Sequence, residues 1–538
     1  MSQGAVYNLV TRDDRYDAFL TATDFLRTRL ANLRTDRQKF NREYIDKYNV
    51  ELLKDQRCDK RRLYEKAKVH VNVQPASSDI NTSHIFYMRK IYRPYVKTAS
   101  EYSIVNASGV GSRKLSNGAN PTLSFTLPIF GHFLSDMCFH VVFEPLGDAA
   151  GTANYRYCSL PGIRLFKYVE FKSGGVTIDD YTRDEVLLHD KFKISKDYEE
   201  GWNCSLGQQN IKQGESPSLQ GYTQCLTYKD GAQTPKKFHP KLEMWVPLHL
   251  WLCSDPSQAL PNDLIPNTQR TISAKLADLS EMIAVVDPVT GIATGDQSLL
   301  ADHRVNITLH VNTLYVNPEI HDILSSRIGF TLMRVHRRQV STISTNNTSV
   351  KINLKYPCEY LFVGIRDPNN ANHLDQWALM GTPPIRSDNT KLFIPTMYWG
   401  TTTTGNGVCQ LACREGVETV SSTLNEMVDS LALTTGAGIK LFSERAGSFY
   451  NCYLPNRYMG STKIYSPSDK SAYFIPFCMF PGKFQPSGYF NLSASRETHL
   501  EIKSSTVSQD KPAEVIITTS ALNFLTRKGD SVSLRFAV

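Results

Sequence analysis

Hydrophobic and polar positions change their period once along this chain. Ala18, Ala22, Phe25, Leu26, Leu30 and Leu33 fall at helical spacing, on one face of an amphipathic helix. Tyr44, Ile45, Tyr48, Leu52 and Leu53 predict a second helix. The region before residue 93 therefore reads as a helical or partly extended arm. Beyond it the period drops to two. Leu123, Phe125 and Leu127 alternate with polar residues, as do Phe139, Val141 and Phe143, and Val305, Ile307, Leu309 and Val311. The longest alternation is Leu242, Met244, Val246, Leu248, Leu250 and Leu252, with Glu243, Trp245, Pro247, His249 and Trp251 on the opposite face. This pattern predicts a strand with one face in a core. Tyr473, Ile475, Phe477 and Met479 alternate later, followed by Val515 with Ile517, and by Val532, Leu534 and Phe536.

Turn residues separate these runs. Ser173-Gly174-Gly175 lies between Val169–Phe171 and Val176–Ile178, as in a hairpin. Helical signals survive only at Ile272–Met282, Glu319–Ser326 and Val417–Leu433. Strands without regularly interposed helices predict an all-β protein of antiparallel sheets, in sandwiches or barrels.

Composition changes this picture little. The 538 residues and 41% hydrophobic content allow two to four domains with substantial cores. No apolar run approaches the ~20 residues of a membrane helix. Met1–Val10 lacks the basic and apolar regions of a secretory signal. The net charge of +8 permits an anionic contact without indicating nucleic-acid binding. Its distribution is informative: Arg12–Lys68 holds 16 Lys/Arg against 11 Asp/Glu, with no Gly or Pro. The odd count of 11 cysteines fits reduced thiols in a cytosolic compartment.

Candidate chemistry is sparse. Gly436-Ala437-Gly438-Ile439-Lys440 lacks the spacing of a phosphate loop. Cys409 and Cys413 have a metal-ligand spacing but no second Cys/His pair at finger-like distance. His132 and His140 flank a core strand, and His303, His310, His321 and His336 form no His-x-His or His-x-Glu pair. Seven Asn-x-Ser/Thr sequons read as by-products of composition, and Asn306 falls inside a strand. No catalytic, cofactor-binding or metal-ligating residue is assigned, no cofactor is expected, and the chain reads as a non-enzyme.

Four segments carry a resemblance. They are Pro318-Glu319-Ile320-His321 through Phe330-Thr331-Leu332-Met333-Arg334-Val335-His336; Pro357-Cys358-Glu359-Tyr360-Leu361-Phe362-Val363-Gly364; Gln485-Pro486-Ser487-Gly488 through Ser493, with Arg496-Glu497; and Ser520-Ala521-Leu522-Asn523-Phe524-Leu525. They resemble the major capsid proteins of nucleocytoplasmic large DNA viruses, in particular the African swine fever virus and asfarvirus-like group. Gln485-Pro486-Ser487-Gly488 is the most specific. It also has a plain reading as a turn between strands Tyr473–Met479 and Tyr489–Leu492, because Pro fixes φ and Gly permits positive φ. Residues 145–158, 195–232 and 370–450 look unlike the swine fever protein and read as capsomer loops.

The resemblance implies two consecutive eight-stranded antiparallel jelly rolls with long inter-strand loops, over 94–317 and 318–538, after an arm at 1–93. It implies a homotrimer with a pseudo-hexagonal footprint, tiling an icosahedral shell assembled in the host cytoplasm. Implied partners are other trimers, minor capsid and penton proteins, and an inner membrane surface met by the arm, with no specific nucleic acid. Two other readings stand beside this one: a poxvirus-like transient scaffold forming a honeycomb on an immature membrane, and a β-sandwich carbohydrate-binding module or enzyme.

Overall fold

The computed structural model describes residues 98–536 outside certain connecting segments, the longest being 217–222, 287–302 apart from Ala293–Thr294, 318–329 apart from His321, 382–395 and 413–425. The N-terminal arm lies outside the described residues, as does the expected helix Glu319–Ser326 apart from His321.

Sixteen strands carry the architecture. In the first half they are β1 (Thr98–Asn106), β2 (Thr122–Thr126), β3 (Phe133–Phe143), β4 (Phe166–Ser173), β5 (Val176–Thr182), β6 (Leu242–Pro247), β7 (Arg270–Leu276) and β8 (His303–Val316). In the second they are β9 (Phe330–Ile343), β10 (Asn347–Lys351), β11 (Pro357–Arg366), β12 (Ser430–Thr435), β13 (Lys440–Ala446), β14 (Ala472–Pro476), β15 (Thr498–Lys503) and β16 (Ala513–Lys528). The first half forms sheets in the orders β1-β8-β3-β6 and β2-β7-β4-β5. The second forms β9-β16-β11-β14 and β10-β15-β12-β13, the same order with eight added to each number. This is the jelly-roll arrangement, repeated, with short strands appended to sheet edges.

Alternation explains each core. Phe139, Val141 and Phe143 of β3 point inward and are buried. Phe139 stacks on Phe166 of the opposing sheet at 4.5 Å, and Phe125 of β2 lies 5.5 Å from Phe139. Leu361, Val363 and Ile365 of β11 fill the second core with Leu431, Leu433, Leu500 and Ile502. The hairpin expected at Ser173 forms as the sequence indicates. Ser173 pairs with Val176, and Gly174 and Gly175 hold φ of +56° and +83°, the mirror-image turn that suits a twisted hairpin.

Four expectations need correction. The strand from Leu242 stops at Pro247, and Trp251–Ser254 is a helical turn. Pro247 ends the ladder because it has no N–H to donate, although Leu248, Leu250 and Leu252 stay buried. Ile272–Met282 is mostly strand: Ile272, Ala274 and Leu276 alternate in β7, and only Leu279–Met282 is helical. Of Val417–Leu433, residues 417–425 lie outside the described chain, and Ser430–Leu433 belongs to β12. The strand at Tyr473 ends at Pro476, again a proline, which leaves Met479 69% exposed. At the specific Gln485–Gly488 segment, Ser487 Oγ accepts from Phe480 N at 2.7 Å and Gly488 holds φ +143°.

One further sheet draws on both halves. Ile211–Ser216 and Thr223–Tyr228 pair with Thr396–Thr401 and Gly407–Ala412, joined at Cys225 opposite Tyr398. Segments 195–232 and 370–450, read as loops, thus contribute strands to a common sheet.

Two glycines separate backbone strain from crowding. A Cβ on Gly175 would meet nothing within 4 Å, whereas one on Gly147 (φ +82°) would sit 2.2 Å from the Lys237 carbonyl oxygen. Gly175→Ala is expected to cost about 1 kcal/mol from backbone conformation alone. Gly147→Ala should cost clearly more. Thermal melts of the two variants check this, and equal losses would contradict it.

Candidate functional site

The two rolls are joined by a helix that the sequence reading passed over. α1 (Arg183–Lys193) starts immediately after β5. Thr182 N donates to Glu185 Oε2 at 2.7 Å in a capping box. Asp184 and Glu185 sit in its first turn, and Lys191 and Lys193 in its last, as the helix dipole favours. The Thr182-x-x-Glu185 signature was available in the sequence, but the surrounding charges hid the apolar stripe of Leu187, Leu188 and Phe192. α2 (Lys196–Ser205) follows directly.

α1 packs on the outer face of the β9-β16-β11-β14 sheet. Phe192 stacks on Phe362 with ring centroids 4.5 Å apart, and the Lys193 ammonium lies 5.2 Å from the Tyr360 ring centre. Every residue of β11 is consequently buried. A strand covered on both faces reads as a continuous run rather than an alternation.

Ion pairs cross the same seam. Arg366 donates to Asp184 of α1 at 2.8 Å and to Glu514 of β16 at 2.7 Å. Lys191 meets Asp469 at 3.0 Å, and Asp469 also accepts from Met380 N at 2.6 Å. Between β5 and β9, Asp179 accepts from His336 N at 2.9 Å and faces its ring Nδ1 at 3.1 Å. Arg338 lies 3.4 Å from Asp180 and 3.2 Å from Glu185. A loop of the second half reaches back: Trp377, fully buried, donates from Nε1 to Ser159 O at 2.7 Å. Its ring lies under Arg164 at 5.3 Å.

Three histidines meet at this seam. His249 lies 4.2 Å from His189 and 4.5 Å from His336, centroid to centroid. Burial, then the charges of Lys193 and His336, push His189 down to about 3. Burial, with His189, His336 and Lys193 beyond it, pushes His249 down as well. For His336 burial acts downward too, but the charge and hydrogen bond of Asp179, with Glu185, outweigh it and raise the group.

A second histidine cluster lies on the outer face of the β1-β8-β3-β6 sheet. Trp245 of β6 stacks on His140 of β3 at 4.1 Å, and His310 of β8 meets the Trp245 ring edge-on at 4.9 Å. His140 Nε2 is 2.8 Å from Glu243 Oε1. Tyr102 and Ile104 of β1 are 55% and 64% exposed. The other histidines singled out from sequence are scattered. His303 stacks on Phe143 inside the first roll, the His132 carbonyl accepts from Asn262 N, and His321 N donates to Asn317 O. Among the described residues no three His, Cys, Asp or Glu side chains are placed to hold a metal. Cys409 sits on the Gly407–Ala412 strand, and Cys413 lies outside the described residues.

The architecture is thus a repeated jelly roll fastened along one seam. A family profile for the large eukaryotic DNA virus major capsid protein matches residues 319–532, and one for the major capsid protein N-terminus matches residues 90–317. The chain belongs to the large DNA virus major capsid proteins. It is 23% identical to the major capsid protein of an African swine fever virus isolate, with both chains covered in full. It is 20% identical to that of Phaeocystis pouchetii virus, over 71% of this chain and 79% of the relative. Among solved structures, the Faustovirus major capsid protein superposes with a TM-score of 0.67 at 23% identity, covering 96% of this chain and all of that one. A PBCV-1 virus capsid chain superposes at 0.59 and 17%, covering 84% of this chain and all of its own. The resemblance drawn from Gln485–Gly488 and its companion segments therefore identifies the family correctly. As a major capsid protein the chain is a component of the virion capsid.

Two measurements probe the seam of this capsid protein. Arg366 is 9% exposed and its two carboxylate partners 21% and 28%. Arg366→Ala leaves both acids facing each other without their cation, and is expected to destabilise the fold by about 3 kcal/mol. His189 gives a pH signature. Below pH 6.5 the unfolded chain protonates this residue, while the folded chain withholds the proton until about pH 3. The residue therefore subtracts stability as pH falls, by about 2 kcal/mol at pH 5. His189→Leu removes that dependence. Denaturant midpoints at pH 7 and 5 should show wild type losing about 2 kcal/mol relative to the variant; an unchanged gap would contradict the assignment.

Proposed function

We propose that three copies of this capsid protein form a pseudo-hexagonal capsomer, and that capsomers tile an icosahedral shell. The observation that carries this reading is the repeated strand order within one fastened chain. Two jelly rolls held by α1 present similar walls, so three copies supply six. The role is assembly rather than catalysis. The divisions at 1–93, 94–317 and 318–538 follow the same reading, supported by family matches that begin at residues 90 and 319.

The shared sheet of Ile211–Tyr228 and Thr396–Ala412 belongs, on this proposal, to the outer tower of the capsomer. The arm faces inward. Its Lys54–Lys68 stretch, with seven basic and three acidic residues, suits acidic minor capsid proteins or anionic lipid headgroups. Assembly proceeds in a cytoplasmic factory, where the thiols stay reduced.

Light scattering on the purified protein tests the capsomer. The expected species has about three times the 60.7 kDa chain mass, and a stable monomer would overturn the proposal. Removing residues 1–70 should leave three chains per particle while abolishing shell assembly; loss of trimers would instead place the arm within the capsomer fold.

A further inference from the structure

The internal repeat reaches beyond strand order to individual positions. Pro247 ends β6 opposite Cys138 of β3, and Pro476 ends β14 opposite Tyr360 of β11. Two residues earlier, Trp245 pairs with His140, and Phe474 with Phe362. Two earlier again, Glu243 pairs with Val142, and Ala472 with Gly364. The Trp245–His140 pair therefore stands in the first roll where Phe474–Phe362 stands in the second.

The connections repeat as well. A helix follows β5 before β6, namely α1, and a helical segment, Phe449–Thr462, follows β13 before β14. The environments of these equivalent features are opposite. In the second roll the aromatic pair is filled, because Phe192 of α1 stacks on Phe362, and no residue of α1 is exposed. In the first roll the pair lies open: Trp245 is 41% exposed, and Tyr102 and Ile104 of β1, at the other edge of the sheet, are exposed as well. The helical segment of the second roll also has an open side, made of Cys452, Tyr453, Asn456, Arg457 and Met459. Tyr453 and Met459 are 56% and 47% exposed. Among the described residues, one chain thus carries one occupied joint, one open socket and one helix with an open side.

We infer that the Phe449–Thr462 helix of one copy docks on the outer face of the β1-β8-β3-β6 sheet of the next copy, over Trp245 and His140, repeating between chains the joint that α1 makes within one. The chemistry suits the pairing. Tyr453 and Met459 offer an aromatic ring and a thioether to an indole–imidazole stack. The exposed Arg457 has the charge opposite to Glu243, which is 42% exposed. A head-to-tail contact of this kind closes into a ring when its rotation allows. The inference rests on the trimer proposed above and names the surfaces that build it.

Two variants and their mixture test it by chromatography with light scattering. Trp245→Arg spoils the socket and leaves the helix, and Tyr453→Arg does the reverse. Each alone should run as a monomer near 61 kDa. Mixed, one intact socket meets one intact helix, so a heterodimer of about twice that mass should form and grow no further. Trimeric variants beside a trimeric wild type would overturn the pairing and leave the capsomer standing. Two monomeric variants that fail to combine would also overturn it. A monomeric wild type would overturn both readings. Melting curves check folding, and His140→Glu with Met459→Glu serve as the replacement pair if either arginine variant melts early.

Discussion

Everything in this capsid protein hangs on a helix with no free side. α1 lies between the roll that produces it and the outer sheet face of the roll that follows. Its Phe192 enters an aromatic stack, its Asp184 shares Arg366 with β16, and its Lys191 meets Asp469. A jelly roll alone has two sheet faces turned to solvent. Covering one of them with a helix from the neighbouring roll turns two sandwiches into a single rigid wall. A capsid component that must meet identical copies at fixed angles depends on that rigidity, because any hinge between the rolls would blur the lattice.

The same seam explains which strands could be read from sequence. β3 and β8 alternate because one face lies in the core and the other is open, and both were legible from Phe139–Phe143 and Val305–Val311. β11 does not alternate, because α1 covers its second face, so Pro357–Gly364 stood out as a motif and not as a period-two strand. The overlong strands at Leu242 and Tyr473 both failed because the ladder ends at a proline, Pro247 in one and Pro476 in the other. Apolar residues beyond Pro247 remain buried without belonging to a ladder, since burial sets the periodicity while hydrogen bonding sets the strand. Ile272–Met282 mixes both periods, because Leu276 closes a strand and Leu279 and Met282 fall one helical step further on.

The histidines show the limit of reading by local spacing. His140 and His310 are distant in sequence and adjacent on one sheet face, and His189, His249 and His336 converge from three different elements. No window along the chain contains these contacts; they exist only once the strand order is known. The capping box of α1 was a missed opportunity of another kind. Thr182 and Glu185 announce a helix start, but an eleven-residue helix carrying Asp184, Asp190, Lys191 and Lys193 looks solvated until the partner sheet is placed over it.

Repetition with unequal covering is what gives the chain a direction. Two rolls of identical strand order would, if equally covered, form a closed pair with nothing left to join. Here the second roll has its outer sheet covered and its helix uncovered, while the first has its helix covered and its sheet uncovered. The polar histidine–tryptophan stack on the open sheet tolerates water, as a surface must before assembly, whereas its counterpart is the purely aromatic Phe362–Phe474 pair, which never leaves the interior. That exchange of side chains at equivalent positions separates a permanent joint from one that forms only when copies meet.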